Sequence, residues 1–590
     1  GPKLGDAVID DFEKWIAMGA PDPRNSPPTG GEIAGATSWE STVQRRKQWW
    51  SFQPIKDPQV PSPENSTSDN PIDRFIARRL QELGLEPSPR ESDATLIRRL
   101  YLTLIGLPPS PGEMAEWSRR YAQADVAWKV TDELIDYLLA SDHFGERWAR
   151  HWMDWIRYAE SHGSEGDPRI DNAWLYRDYL IRALNSDVPY DQLVREHVAG
   201  DLLDPPRVND ELGINESIIG TAHWRMVFHG FAPTDALDEK VRFIDDQINA
   251  FSKAVLGLTV SCARCHDHKF DAISQRDYYA MFGILASCRP GRLAVDLPGR
   301  QQRNREALLE LKPKIREAIA DDWLASLSEL TNRLPDDGSN DEGQSGNQAR
   351  AAIRSVVHPW SLLRELDEET FHEAWQQLTR AVVEQPAVGS QAESGIVESW
   401  NFADADGAAS WNLVGTGLEN QPTGPGVFAI APSGNQLLVG IYPSGIYSHL
   451  RSNKLAARLT SPDIDLSTET ELWLRVLGDG QATARYVVQD YPRRGTVYPV
   501  TQLKPQWKWE RFDLSYWTGD SVHLEVTTSK DAPLLVNQPE RSWFGISEVR
   551  LVKKGSAAPH ERPAYLSAVV EAARSEGDPE SAQQLADLYR

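Results

Sequence analysis

The residues whose types and spacing most clearly specify chemistry are Cys262-Ala-Arg-Cys265-His266. On a helical turn, positions i, i+3 and i+4 share one face. Two thioethers can then hold the edge of a porphyrin while the His266 imidazole meets the iron. In a 590-residue chain with only 3 cysteines, the pattern points to covalent haem c bound through Cys262, Cys265 and His266. Three other readings of the same residues stay open: a dithiol redox pair, although its usual βαβ setting is not what helical flanks suggest; a zinc site completed by His268 or Cys288; and a plain Cys262–Cys265 disulfide. For the far side of an iron, His151, His162, His229, Met153 and Met281 are the candidates.

The next residues, Asp267-His268-Lys269-Phe270-Asp271, continue a run dense in ligands. His266, His268 and Asp271 offer imidazole and carboxylate donors to a divalent metal ion. The alternative is that Asp267, His268 and Lys269 orient haem propionates or cap the helix that starts after Ser274. A second candidate set lies upstream. Phe144, Trp148, Trp152, Trp155 and Ala159 step by three or four as an aromatic stripe, with His151 and Asp154 on the other face and Arg157 and His162 following. His151, Asp154, Arg157 and His162 read as an acid–base catalytic cluster or sugar site, against a buried structural polar network. Glu165, Asp167 and Asp171 supply loop carboxylates without the spacing of an EF-hand.

The elements that must position these groups fall into a multidomain α + β chain. Residues 4–20 have helical periodicity with Ile9, Phe12, Trp15 and Ile16 on one face, and the Pro/Ser/Asn-rich stretch after them reads as an extended connector. Helical periodicity dominates 71–290, with a capping box at Ser110/Glu113. A helix carrying Val241, Ile244, Ile248, Phe251, Val255 and Leu258 leads into the cysteine pair. Residues 300–385 are helical and charged, broken by a Gly/Ser/Asn/Asp loop at 335–348. After Gln385 the period becomes two: 472–478, 484–491, 496–503, 507–514 and 521–528 read as strands of an antiparallel β-sandwich, a jelly roll. Of Trp473, Tyr486, Tyr491, Tyr498, Trp507, Trp509, Tyr516 and Trp517, alternation puts about half in a core and leaves the rest as a platform for sugar rings. The boundaries expected are 1–24 (a terminal helix of a preceding domain), 25–70 (linker), 71–290 (helical domain with the cysteine pair), 291–390 (helical connector), 391–556 (carbohydrate-binding-like sandwich) and 557–590 (helical segment).

Acidic residues number 86 and basic ones 62, a net charge of −24, which argues against a broad nucleic-acid surface. It suits neutral sugars, cations or a basic redox partner. Three cysteines are too few for a disulfide scaffold. No run approaches the roughly 20 apolar residues of a transmembrane segment.

Five blocks carry a family resemblance: NPID at 70–73, RRLYLTLIGLPPSP at 98–111, ERWARHWMDWIRYAESHG at 146–163, YRDYLIRALNSDVPYDQ at 176–192 and GLTVSCARCHDHKFDAISQRDYY at 257–279. Occurring in this order over residues 45–290, they resemble the second cytochrome-like domain of planctomycete multidomain c-type cytochrome proteins. DFEKWIAMGAPDP at 11–23 is similar to the last helix of the first cytochrome domain of such proteins. The sandwich resembles an insert found in some members before their final domain, so most of the first domain and the final domain would be missing from this chain. The resemblance implies an exported, periplasmic or extracellular protein with haem attached at Cys262, Cys265 and His266, serving electron transfer with a redox partner protein or neighbouring cytochrome domain. Ala272 stands where the family usually has proline. The expectation is therefore an exported c-type haem electron-transfer protein serving oxidation or breakdown of carbohydrate. One alternative is a metal-dependent carbohydrate-active enzyme with a Cys262–Cys265 disulfide; the other is a scaffold module that binds polysaccharide.

Overall fold

The computed structural model describes residues 5–21, 38–63, 68–163, 169–226, 235–288, 293–331, 366–383, 395–403, 405–431, 437–490, 500–531, 539–559 and 577–589, with residues 35, 167, 291, 363, 569 and 573 besides. The expected loop at 335–348, Glu165, His229, Tyr491 and Tyr498 lie outside them. The chain forms two compact bodies, one of residues 1–156 and 244–287, the other of 157–243 and 288–590.

The first body is helical because its sequence carries both start signals and apolar stripes. Asn70, Ser92, Ser110 and Ser274 each accept a bond from a backbone N–H in the first turn of their helices, satisfying donors that a helix start leaves open. Helices Asp93–Leu104, Pro111–Gln123 and Ala127–Leu139 enclose Ile97, Tyr101, Trp117, Tyr121, Val130, Leu134 and Leu138. The helix Asp142–Ile156 buries Gly145, Ala149, Trp152 and Ile156. Trp148 and Trp155 are exposed, so the buried stripe is rotated from the aromatic one read in the sequence. Gly145 and Ala149 have so little side chain that neighbouring elements can approach the helix on that side. The stretch read as an extended connector also holds a helix, Trp39–Lys47, and a 3₁₀ turn, Trp50–Phe52. Asp6–Ala17 is helical as expected, with its apolar face uncovered.

Residues 157–243 share their contacts with residues 288–590. Backbone bonds explain this: Asn215 N–H donates to Val295 O (2.8 Å) and Leu297 N–H to Gly213 O (2.9 Å). The hairpin at 208–215 is thereby tied to the chain beyond 288. Beneath it, helices Ala173–Asn185 and Tyr190–Ala199 and the 3₁₀ segment Ser217–Arg225 surround a buried polar network. Glu196 accepts two bonds from Arg207 (2.9 Å each) and one from Tyr179 Oη (2.6 Å). Burial alone would raise the Glu196 carboxyl, but Arg207, Tyr179 and Gln192 hold it below the usual range. Gly200 and Gly220 permit the close approach, since a Cβ at either would meet backbone atoms at 1.8 and 2.6 Å. His197 Nδ1–H donates to Leu193 O (2.7 Å) and His223 Nδ1–H to Gly220 O (3.0 Å).

The sandwich occupies residues 396–553. One sheet runs Lys508–Asp513, Thr470–Asp479, Trp543–Lys553, Ile396–Asn401, with Ile446–Tyr447 also on the third strand. The other runs Val500–Gln502, Thr483–Val488, Ser521–Thr527, Arg458–Thr460, Asn412–Val414, with Ile464–Asp465 also on the third. All pairings are antiparallel. Alternation sends Leu472, Leu474 and Val476, and Ala484, Tyr486 and Val488, and Val522, Leu524 and Val526 into the shared core with Phe512, Phe544 and Val549. The second sheet is buried on its outer side as well, where Thr483, Arg485, Val487, His523, Glu525 and Thr527 are covered. Phe371 and Trp375, which precede the sandwich in the chain, pack with Ala573 and Leu585, which follow it.

Burial lowers His197 to about 4 and His223 to about 3, the nearby His197 adding to the second shift. Both rings are neutral in the fold, whereas the unfolded chain takes up protons near 6.5. The unfolded state therefore binds more protons below that value, and stability falls with pH. Thermal unfolding of the second body should show a melting temperature that drops steadily between pH 6.5 and 4. It should drop less in His223→Phe.

Candidate functional site

The helix Ala236–Phe251 passes into a π turn, Ser252–Leu256, and stops at Gly257, whose φ of +65° is left-handed backbone that glycine adopts without strain. The 3₁₀ turn Val260–Arg264 follows, with Cys265 as its cap. The cysteine pair thus lies on a 3₁₀ turn, where i and i+3 eclipse, and His266 comes just after it. Residues 265–274 are loop, ended by Ser274 and a capping box with Asp277.

This loop keeps its shape through side chains. Arg46 reaches into it from the helix Trp39–Lys47 and donates to three carbonyls, those of His268, Lys269 and Asp271, the last at 3.0 Å. Asp245 accepts from Tyr278 Oη (2.8 Å) and Arg264 (3.2 Å). Arg264 O accepts from Gln275 Nε2 (3.1 Å) and Tyr279 Oη (3.3 Å). Asp267 Oδ1 accepts from Gln275 N–H (2.8 Å), which is the helix-capping role weighed for it.

His268 is buried, and both ring nitrogens are engaged. Nδ1 accepts from the N–H groups of Asp271 (2.7 Å) and Phe270 (3.2 Å), and Nε2–H donates to Thr259 Oγ1 (3.0 Å). The loop folds around this imidazole. The structure brings Asp271 to 3.3 Å from His268 but does not gather His266, His268 and Asp271 as a metal set. Among the described residues, the one group of three with metal-ligand geometry lies elsewhere. The physical reason is that His268 has no lone pair left.

Cys262, Cys265 and His266 are all exposed, and Cys262 and Cys265 are both thiols. The disulfide weighed for the pair is not formed. His266 Nδ1–H donates to Asp267 O (2.8 Å), which fixes the tautomer and leaves the lone pair on Nε2.

His151, half-buried beside Trp148 (ring centroids 5.2 Å apart), and exposed Asp154 belong to the first body. Arg157, exposed at a φ of +59°, and buried His162 belong to the second. Sequence reasoning missed Arg46, Thr259 and Asp245 as supports of the loop. Nothing in Arg45-Arg46-Lys47 distinguishes the middle residue, whose role depends on a contact more than 200 positions away.

Residues with chemistry thus sit on an exposed, side-chain-stapled loop of a helical body, in a chain that also bears a jelly-roll sandwich. Residues 71–290 match the family model PSCyt2, described as a protein of unknown function (DUF1549). This label is consistent with the cytochrome-like resemblance. No curated protein matches the chain. Among solved structures, the chain is similar to TmCBM61 in complex with beta-1,4-galactotriose (13% identity over 26% of this chain and 99% of that one, TM-score 0.17). It is also similar to the K1 cleaved adhesin domain of Lys-gingipain from Porphyromonas gingivalis (16%, 27% and 98%, 0.17). A third is the CBM22-1-GH10 part of Clostridium thermocellum endo-1,4-beta-D-xylanase 10B complexed with xylohexaose (14%, 28% and 30%, 0.16).

Replacing Arg46 with alanine leaves three carbonyls without their charged donor. The first body should lose about 2 kcal/mol. Hydrogen exchange at the amides of Phe270 and Asp271 should accelerate, while exchange in the sandwich stays unchanged.

Proposed function

We propose that this chain is an exported c-type haem protein that passes electrons, in which Cys262 and Cys265 would hold the haem through thioethers and His266 would ligate its iron. The supporting observation is the His266 Nδ1–H bond to Asp267 O. It holds the ring in the tautomer whose Nε2 can ligate iron, the arrangement that metal-binding histidines commonly adopt. The two exposed free thiols on an eclipsed 3₁₀ turn suit attachment to one edge of a macrocycle. When bound, the haem iron supplies one-electron chemistry at a potential set by its ligands and its exposure. The chain's own residues hold the neighbouring loop in place: Arg46, His268 and Asp245 fix it. No helix among the described residues is long and apolar enough to cross a membrane.

The test is production in a periplasm with a cytochrome-maturation system. The wild type should keep a Soret band on the polypeptide after denaturation and acid–acetone extraction, and Cys262→Ser/Cys265→Ser should not. Complete extraction of the colour from the wild type would overturn the assignment.

A second reading concerns the sandwich, which we infer contacts polysaccharide in support of the same redox role. Tyr516 favours it, 81% exposed and edge-on to Trp517 at 4.8 Å. Tyr486 and Trp517 are core, and guanidinium groups of Arg511, Arg475 and Arg550 lie over Trp473, Trp507 and Trp509. The Tyr516 ring is thus the free stacking surface among the described aromatic residues named for the platform. Tyr516→Ala should weaken retention on an insoluble polysaccharide column roughly three- to tenfold, with the melting temperature unchanged.

A further inference from the structure

The outer side of the second sheet holds a cluster that the haem proposal does not use. Asp463, Asp490 and His523 each present a ligand atom, and the three atoms lie within 4.8 Å of one another. The strand order creates this group. Ser521–Thr527 is flanked by Ile464–Asp465 on one side and Thr483–Val488 on the other. The register that pairs Ser521 with Asp465 and Val522 with Ile464 brings Asp463 opposite His523. From the other neighbour, the chain turns out of its strand through left-handed backbone at Gln489 and Asp490.

His523 is the informative member. Its side chain is only 4% exposed. Nδ1 lies 2.7 Å from Asp490 Oδ1, yet it has no hydrogen-bond partner, so the two atoms are close without the alignment of an N–H···O bond. The contact turns the buried imidazole toward the carboxylates of Asp490 and Asp463. On the other side of the ring, Nε2 lies 3.6 Å from Glu525 Oε1, and Glu525 Oε2 is bound by Arg485 Nε (2.6 Å) and Nη2 (2.5 Å). A carboxylate behind a histidine whose other nitrogen faces ligands is the supporting arrangement of metal sites.

Arg485 is engaged with Glu525, and Arg458 also acts on that carboxylate. Lys240 Nζ stands 3.9 Å from Asp490 Oδ2. One nitrogen and two carboxylate donors, with Asp463 at the surface leaving room for water, select a first-row divalent ion such as Zn²⁺. Calcium and magnesium prefer all-oxygen shells.

We propose that Asp463, Asp490 and His523 bind a divalent transition-metal ion that pins the 461–463 and 489–490 turns to the strand Ser521–Thr527. The experiment uses the full chain as Cys262→Ser/Cys265→Ser, so that zinc cannot report on the thiols. After chelator treatment and dialysis, Zn²⁺ uptake is measured by calorimetry and elemental analysis, and Co²⁺ by its visible d–d bands, with Ca²⁺ as the comparison ion. About one equivalent of Zn²⁺ should bind, and Co²⁺ should show nitrogen–oxygen coordination. Asp463→Asn, a surface change that leaves the core intact, should weaken uptake roughly tenfold or more, the scale on which even supporting residues act. His523→Gln, checked for folding by circular dichroism, should abolish the Co²⁺ bands; if it does not fold, Asp463→Asn decides. Absence of Zn²⁺ uptake, uptake unaltered by Asp463→Asn, or Ca²⁺ bound as tightly as Zn²⁺ would each overturn the proposal.

Discussion

A polar group taken out of water must be given a partner, and both bodies are organised around guanidinium groups that meet this requirement where secondary structure does not. Arg46 supplies donors to three carbonyls of an irregular loop. Arg207 and Arg182 each fork onto a carboxylate, of Glu196 and Glu216 respectively. Arg485 does the same work for Glu525 on the outer side of the second sheet. Such groups add little net stability compared with an apolar filling, but removing one partner is costly. They fix where loops and helices sit more than how tightly the bodies hold together.

Periodicity made the helices and strands legible. The capping box at Ser110 and the strands at 472–478, 507–514 and 521–528 appear where alternation and start signals place them. Orientation was harder to read. The helix Asp142–Ile156 has two apolar stripes, and hydrophobicity alone favours the one with more tryptophan. Packing selected the other, because Gly145 and Ala149 let neighbours come close. The helix Trp39–Lys47 was hidden by polar composition, being fixed by its Ser38 cap and by Arg46's distant partners.

Of the candidate site, residue types were legible and their roles only partly so. Cysteine and histidine at a fixed spacing raise the expectation of ligation. Whether a neighbouring histidine ligates or supports depends on which backbone groups face its ring, and no spacing rule contains that. His268 illustrates this: it sits two residues from His266, yet two bonds to the loop itself and one to Thr259 engage it fully. The buried network around Glu196 escaped notice for a related reason. Its members are spread from Tyr176 to His223 and meet only once three helical segments have packed.

The first and last strands of the sandwich, Ile396–Asn401 and Trp543–Lys553, are direct neighbours, and the helical residues on either side of it in the chain pack together. The whole sandwich therefore occupies the chain as a loop whose ends are already closed. Once it folds, docking of Phe371 and Trp375 against Ala573 and Leu585 no longer carries the closure entropy of the long intervening segment. Such a module can be gained, exchanged or lost in evolution while the host chain keeps its own contacts, and the outer surface of the sandwich can vary independently of the thiol-bearing loop.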